Sequence, residues 1–179
     1  MFKTISAVVV ASAMAVSAQA QDAGSKYYVE AGLGNAMVEI DALEVDGDFG
    51  VLHLGAGYNF NRYFAVEGNL AYGITEKTYQ LDGGKVKGKV DYTVGAFAVG
   101  SLPVSENVDL IGRVGLVKAQ LKLSADGYSE TDDDTAVALG FGVRYFPNGG
   151  LNGVRADYTY HDFDNVDSSV IQVAYVRRF

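Results

Sequence analysis

From residue 25 onward, apolar and polar side chains alternate in eight segments, the period-two signature of β-strands. The segments fall at 25–36, 49–60, 64–75, 90–102, 108–122, 135–146, 152–163 and 168–179. Three connections are short, at 61–63, 103–107 and 147–151. The others, at 37–48, 76–89, 123–134 and 164–167, are mostly longer. An even number of strands joined in this way places both chain ends beside the short connections. Pro103 and Pro147 fall in short connections, where a missing N–H interrupts no ladder.

Charge decides which face of each strand looks inward. An arginine presented to hydrocarbon at the centre of a bilayer costs about 2–4 kcal/mol, so in a membrane barrel Arg113, Arg144 and Arg155 must point into the lumen. Holding Arg144 inward leaves Val137, Leu139, Phe141, Val143 and Tyr145 outside, a uniformly apolar stripe. The first strand then sets Tyr27, Val29, Ala31 and Leu33 outside against Tyr28, Glu30, Gly32 and Gly34 inside. The second sets Leu52, Leu54, Ala56 and Tyr58 against His53, Gly55 and Gly57, and the third sets Val66, Leu70 and Tyr72 against Glu67, Asn69 and Ala71. The seventh sets Val154, Ala156, Tyr158 and Tyr160 against Arg155, Asp157 and Thr159. Polar inside and apolar outside inverts the arrangement of a soluble carrier barrel. The expected fold is therefore all-β, an eight-stranded antiparallel up-and-down transmembrane barrel. Two places fit less cleanly: Phe97 falls inward, and Lys118, Gln120 and Lys122 fall outward, as in a strand that projects beyond the membrane. Tyr27, Tyr58, Phe60, Tyr63, Phe64, Tyr145, Phe146 and Phe179 cluster at the short-connection rim, where an aromatic girdle is expected.

The N-terminus agrees with that destination. Lys3, an apolar run from Ile5 to Val16 and the small-x-small triplet Ala18-Gln19-Ala20 make a cleavable export signal over 1–20, with the barrel domain over 21–179. The apolar run is well short of the ~20 residues that a membrane helix needs. Cleavage removes Lys3 and leaves 13 basic residues against 22 acidic ones, a balance that excludes nucleic acid as a partner. Cysteine is absent, so neither disulfides nor thiolate metal sites contribute in the oxidising compartment. With 22 Gly, 2 Pro, 12 Tyr and 9 Phe, the composition favours strands punctuated by glycine.

Several segments resemble the small eight-stranded outer-membrane barrels of the OmpA and OmpX type and the broader outer-membrane β-barrel domain group. They are Tyr27–Gly34, the hairpin Gly55–Glu67, Leu110–Gly115 and the closing Phe179. The resemblance implies an outer membrane of a Gram-negative bacterium, with both termini periplasmic. It implies contact with outer-membrane lipids and lipopolysaccharide, and insertion by the barrel-assembly machinery through a C-terminal strand marked by Tyr175 and Phe179. It also implies a monomer whose extracellular loops meet surface ligands. Arg177 departs from the family pattern, in which an aromatic or aliphatic residue is usual, and no peptidoglycan-binding domain follows the barrel.

Inward Glu30, Glu67 and Asp157 facing Arg113, Arg144 and Arg155 make an ionic network that either seals the lumen or gates it. An eight-stranded barrel is only wide enough for side chains to fill, which favours the seal and a role in membrane integrity or surface interaction. A narrow pore for small solutes or ions is the alternative. A lipid-modifying enzyme built on His161, Asp162 and Ser168 or Ser169 ranks behind both, because the spacing does not show the serine within reach of an oriented base. His53 reads as a further polar filler. The acidic stretch 124–134 lacks EF-hand spacing and reads as solvated, with divalent-cation binding the less favoured option. Lys77, Lys85, Lys87 and Lys89 make the neighbouring long connection basic, suited to lipopolysaccharide phosphates. No catalytic residue, cofactor or metal site is expected.

Overall fold

Alternation of side chains across each strand, with polar groups on one face only, is satisfied by closing the sheet on itself. The computed structural model describes residues 25–40, 45–75, 77–81, 84–125, 128–163 and 167–179, with side chains over 25–37, 48–75, 92–120, 134–163 and 167–179. The export signal expected over 1–20 lies outside the described residues.

Nine strand segments form one antiparallel sheet: β1 (Tyr27–Ile40), β2 (Val45–Asn59), β3 (Phe64–Gly73), β4 (Lys77–Leu81), β5 (Gly84–Pro103), β6 (Val108–Ala125), β7 (Tyr128–Tyr145), β8 (Asn152–Asp162) and β9 (Asp167–Arg178). β3 and β4 both pair with β5, so they are two parts of one stave and the barrel has eight staves. The chain leaves the ladder at Ile74 and Thr75, where the Ile74 N–H donates to the Gly50 carbonyl and the Gly50 N–H donates to the Thr75 hydroxyl. β1 pairs with both β2 and β9, which closes the cylinder. Where the staves pair on both sides, closure leaves no open edge, the condition for a sheet to cross hydrocarbon.

The staves are longer than the alternation predicts. Backbone pairing of β6 with β7 runs out to Ala125↔Tyr128, and β4 pairs with β5 as far as Leu81↔Gly84. Most of the stretches expected as long connections at 37–48, 76–89 and 123–134 are therefore extended hairpins. Beyond a bilayer there is no reason for one face to be apolar, so these strands carry no alternation to read.

Short connections are held by side chains. Asn61 Oδ1 accepts from the backbone N–H groups of Tyr63 and Phe64 at 2.7 and 3.0 Å. Ser105 Oγ accepts from the N–H of Val108 at 3.1 Å. Asn148 and Gly149 take positive φ in the 3-10 turn Pro147–Gly149, and the Gly149 N–H donates to Asn107 Oδ1 at 2.8 Å. That bond ties two neighbouring turns together.

The expected inward and outward sets are those observed. Glu30, His53, Glu67, Arg113, Arg144, Arg155 and Asp157 are buried in the lumen, while Leu33, Leu139, Phe141 and Val173 are exposed on the outer wall. Tyr27 packs on Tyr58 at 5.1 Å between ring centroids and Tyr58 on Phe60 at 5.2 Å, the start of an outer aromatic belt that Tyr63, Phe64, Tyr145 and Phe179 extend. Phe146 does not belong to it. Its ring is 1% exposed and points inward, beneath the Arg178 guanidinium at 3.3 Å from the ring centroid. The one-residue step past Tyr145 turns it to the other face, as parity requires.

Candidate functional site

A lumen lined by eight staves must fit its large side chains past one another, and glycine supplies the space. Cross-strand from Tyr28 lies Gly57, from Glu30 lies Gly55, and from His53 lies Gly32. Phe97 faces Gly115, Asp157 faces Gly142 and Thr159 faces Gly140. A Cβ on Gly57 would run into the Tyr28 ring, and one on Gly115 would meet the Phe97 ring and the Ala96 carbonyl oxygen. Tyr28, Glu30, His53, Phe97, Asp157 and Thr159 thus each lie over a neighbour that has no side chain. The repeated G-x-G pairs are explained by this pairing.

The groups so accommodated form a buried ionic layer across the lumen. Arg155, on β8 and 1% exposed, is its centre. Its Nη1 donates to Glu67 Oε2 at 2.6 Å and to Glu30 Oε2 at 2.9 Å, and its Nε donates to Asp157 Oδ2 at 2.8 Å. Three carboxylates from three staves therefore converge on one guanidinium, whose planar fork of donors suits that geometry. Arg113, on β6, donates from Nη1 to Glu67 Oε1 at 3.0 Å and lies 3.6 Å from Asp157 Oδ1. Other side chains complete the contacts of the carboxylates. Tyr28 Oη donates to Glu67 Oε2 at 2.7 Å, His53 Nε2 is 2.8 Å from Glu30 Oε1, and Gln172 Nε2 donates to Asp157 Oδ2 at 3.0 Å.

Phe97, the apolar residue on a polar face, belongs to this layer. The Arg113 guanidinium stacks on its ring with 3.9 Å from Cζ to the centroid. An aromatic face is a favourable neighbour for a cation out of water, worth about 2 kcal/mol when desolvated. The signal was present in the sequence as a misfit, and what it matched was the arginine on the next strand, two residues from its register partner Gly115.

Arg144 is not part of the layer. It lies nearer the short-turn end, where Nη2 is 3.9 Å from Asp109 Oδ2, donates to the Ser101 hydroxyl, and has its Cζ 5.6 Å from the centroid of the Tyr28 ring. Arg178 Nη2 donates to the same Asp109 carboxylate at 2.7 Å. The six residues expected as one network are thus two groups. Glu30, Glu67, Arg113, Arg155 and Asp157 form the layer, while Arg144 joins Asp109, Arg178 and Phe146 in a second plug. Asp109 and Arg178 stand at strand ends, where the alternation that revealed the others gives out.

The candidate enzyme residues do not assemble. His161 and Ser168 are cross-strand partners that both face the lumen, but Asp162 is on the opposite, exposed face. A base without an orienting acid at its back lacks the third member of the relay. The side chains of the acidic stretch 124–133 and of Lys77, Lys85, Lys87 and Lys89 lie outside the described residues. Tyr175 and Phe179 are both outward, at the short-turn end. Tyr175 Oη donates to Asn152 Oδ1 at 2.6 Å, and the Phe179 N–H donates to the Tyr27 carbonyl at 2.8 Å. Arg177 also points outward, with its guanidinium 5.5 Å from the Phe179 ring centroid.

Comparison with known structures returns the same architecture. Ail, the attachment invasion locus protein of Yersinia pestis, solved in complex with the heparin analogue sucrose octasulfate, matches with a TM-score of 0.64 and 24% identity, over 88% of this chain and 100% of that one. Neisserial surface protein A matches with a TM-score of 0.65 and 19% identity over the same shares. The N-terminal β-barrel domain of Pseudomonas aeruginosa OprF matches with a TM-score of 0.54 and 12% identity, over 86% of this chain and 99% of that one. At these identities the likeness is one of fold. No curated protein matches the chain in sequence. The family model described as the outer membrane protein beta-barrel domain matches residues 6–179. With that match over the closed eight-stave barrel, its apolar outer wall and its ion-paired lumen, the chain belongs to the outer membrane protein β-barrel domain family and is an integral outer-membrane protein of the Gram-negative type.

Proposed function

We propose that this protein is a sealed barrel that serves outer-membrane integrity or surface interaction through its extracellular hairpins, and that it is neither a conduit nor an enzyme. The observation that carries the reading is the Arg155 guanidinium, bonded to Glu30, Glu67 and Asp157 across the lumen. With Arg113, Phe97 and Tyr28 filling the same level and the Asp109–Arg144–Arg178 plug closer to the short turns, two layers of side chains stand in the way of solutes. Breaking a buried pair leaves a charge unpaired at a cost of about 3–5 kcal/mol, which disfavours a routinely opening gate.

In the same reading, cleavage follows Ala20, both termini and the short turns are periplasmic, and the long hairpins face outward to lipopolysaccharide and surface ligands. The C-terminal strand, with outward Tyr175 and Phe179, engages the barrel-assembly machinery, and the barrel works as a monomer in outer-membrane lipid. Opposite facing of His161 and Asp162 supports a role other than catalysis.

The test is refolding of the mature chain into lipid, with heat-modifiable gel mobility and planar-bilayer conductance measured on one preparation. A folded band with no channel steps is expected. Reproducible single-channel steps from the folded band would replace the seal with the second reading, a narrow pore. That reading draws on the lumenal cavity that reaches the ionic layer from the long-hairpin side.

A further inference from the structure

Above the ionic layer, on the side of the long hairpins, the described residues leave a space in the lumen. A cavity of about 120 Å³ extends from His53, Asn69 and Arg113 at its floor toward Asp134, Phe163 and Ser168. We propose that this cavity binds one small, uncharged aromatic molecule that carries a hydroxyl group.

Size comes first. An engineered apolar cavity of ~150 Å³ takes up benzene, so a space of this order accepts a single six-membered ring and little more. The walls suit a ring. Ala36, Val51, Val117, Ala119 and Val170 line the cavity, and the small side chains at 36 and 119 are what leave the space open. This lining contrasts with the layer below, where the inward positions carry charge and amide groups.

Polarity at the floor selects the substituent. Two residues lining the cavity each have a buried polar atom with no hydrogen-bond partner in the protein, Nε of Arg113 and Oδ1 of Asn69. One is a donor and the other an acceptor. Leaving such groups unmatched costs about 1–3 kcal/mol each, and a hydroxyl offers an acceptor and a donor on a single atom. Charge on the ligand is disfavoured in either sign. Arg113 is already paired to Glu67 and stacked on Phe97, and Glu30, Glu67 and Asp157 are already paired to Arg155, so an ion added at the floor would be buried without a counter-ion, while the Asp134 carboxylate lies at the far end of the cavity.

The experiment uses the mature chain refolded in lipid nanodiscs, with ¹³C-labelled alanine and valine methyls, titrated with phenol. Saturable shifts are expected at Ala36, Val117 and Ala119, while the outward Val137 and Val173 report only gradual partition of phenol into lipid. Ala119→Phe, which fills the space, should abolish saturation, and Ala36→Leu should do the same if the first variant fails to fold. Asn69→Leu should weaken phenol by about tenfold, the value of one satisfied buried hydrogen bond. Benzoate should give no saturable response. The proposal fails if inward and outward methyls move alike, as they would with water alone in the cavity. It fails also if filled variants still saturate, or if toluene binds as tightly as phenol.

Discussion

Replacing Arg155 with methionine keeps much of the side-chain volume and removes the guanidinium on which the ionic layer converges. Three bonds go, at 2.6, 2.8 and 2.9 Å, to Glu67, Asp157 and Glu30. What remains for the carboxylates is unequal. Glu67 keeps Tyr28 and Arg113, Glu30 keeps His53, and Asp157 keeps Gln172 with Arg113 at a longer distance. Three buried carboxylates would then face one arginine. Removing one partner from a buried ion pair costs about 3–5 kcal/mol, and the surviving hydrogen bonds soften the loss without replacing the guanidinium, so R155M should lose about 4 kcal/mol. Urea unfolding in lipid vesicles, read by heat-modifiable mobility, measures this directly. A double-mutant cycle with Glu67→Gln supplies the control, since removing a carboxylate from the unbalanced layer should recover about 1–3 kcal/mol of what R155M loses. A loss under about 1 kcal/mol, or strict additivity of the two changes, would refute convergence on Arg155 as the centre of the lumen.

Phe97→Ala should cost about 3–5 kcal/mol in the same unfolding assay, and Phe97→Leu about 1–2 kcal/mol, because leucine keeps bulk but offers Arg113 no aromatic face. Gly142→Ala should destabilise by about 1–3 kcal/mol, since its Cβ would press on Asp157 and the Ala156 carbonyl oxygen. Gly112→Ala meets nothing within 4 Å of the added Cβ and should stay within about 0.5 kcal/mol of the parent protein. Equal costs for the two glycine variants would contradict the account of why inward glycines are there.

Parity was the legible part of the fold. Once Arg113, Arg144 and Arg155 are turned away from lipid, period two assigns every other residue on their strands, and the buried and exposed sets follow. Parity gives the face but not the height along the barrel. Arg144 shares a face with the layer and is the register partner of Arg155, yet its side chain turns toward Asp109 and Ser101 at the short-turn end. Tyr28 is inward by parity, yet its bond to Glu67 reaches from β1 past β2 to β3 and depends on the stagger of three strands, whereas Gln172 bonds its register partner Asp157. Strand ends were hidden for another reason. Where β5, β6 and β7 continue past the point at which one apolar face is required, the sequence loses its alternation while the backbone keeps its pairing. Phe146 shows the same limit in reverse: composition put it in the aromatic belt, and a single residue of register put it under Arg178.

The claim on which the rest depends is that the apolar stripe meets hydrocarbon and the charged stripe meets itself. The chain contains no tryptophan, so one introduced indole reports without background. Phe141, 67% exposed at the middle of the β7 stretch that pairs with β8, is the position to change, and Phe141→Trp should leave the fold intact. In vesicles containing bromine-labelled lipid, its fluorescence should be strongly quenched while aqueous iodide has little effect. Quenching by iodide with indifference to brominated lipid would put that face in water and contradict the account.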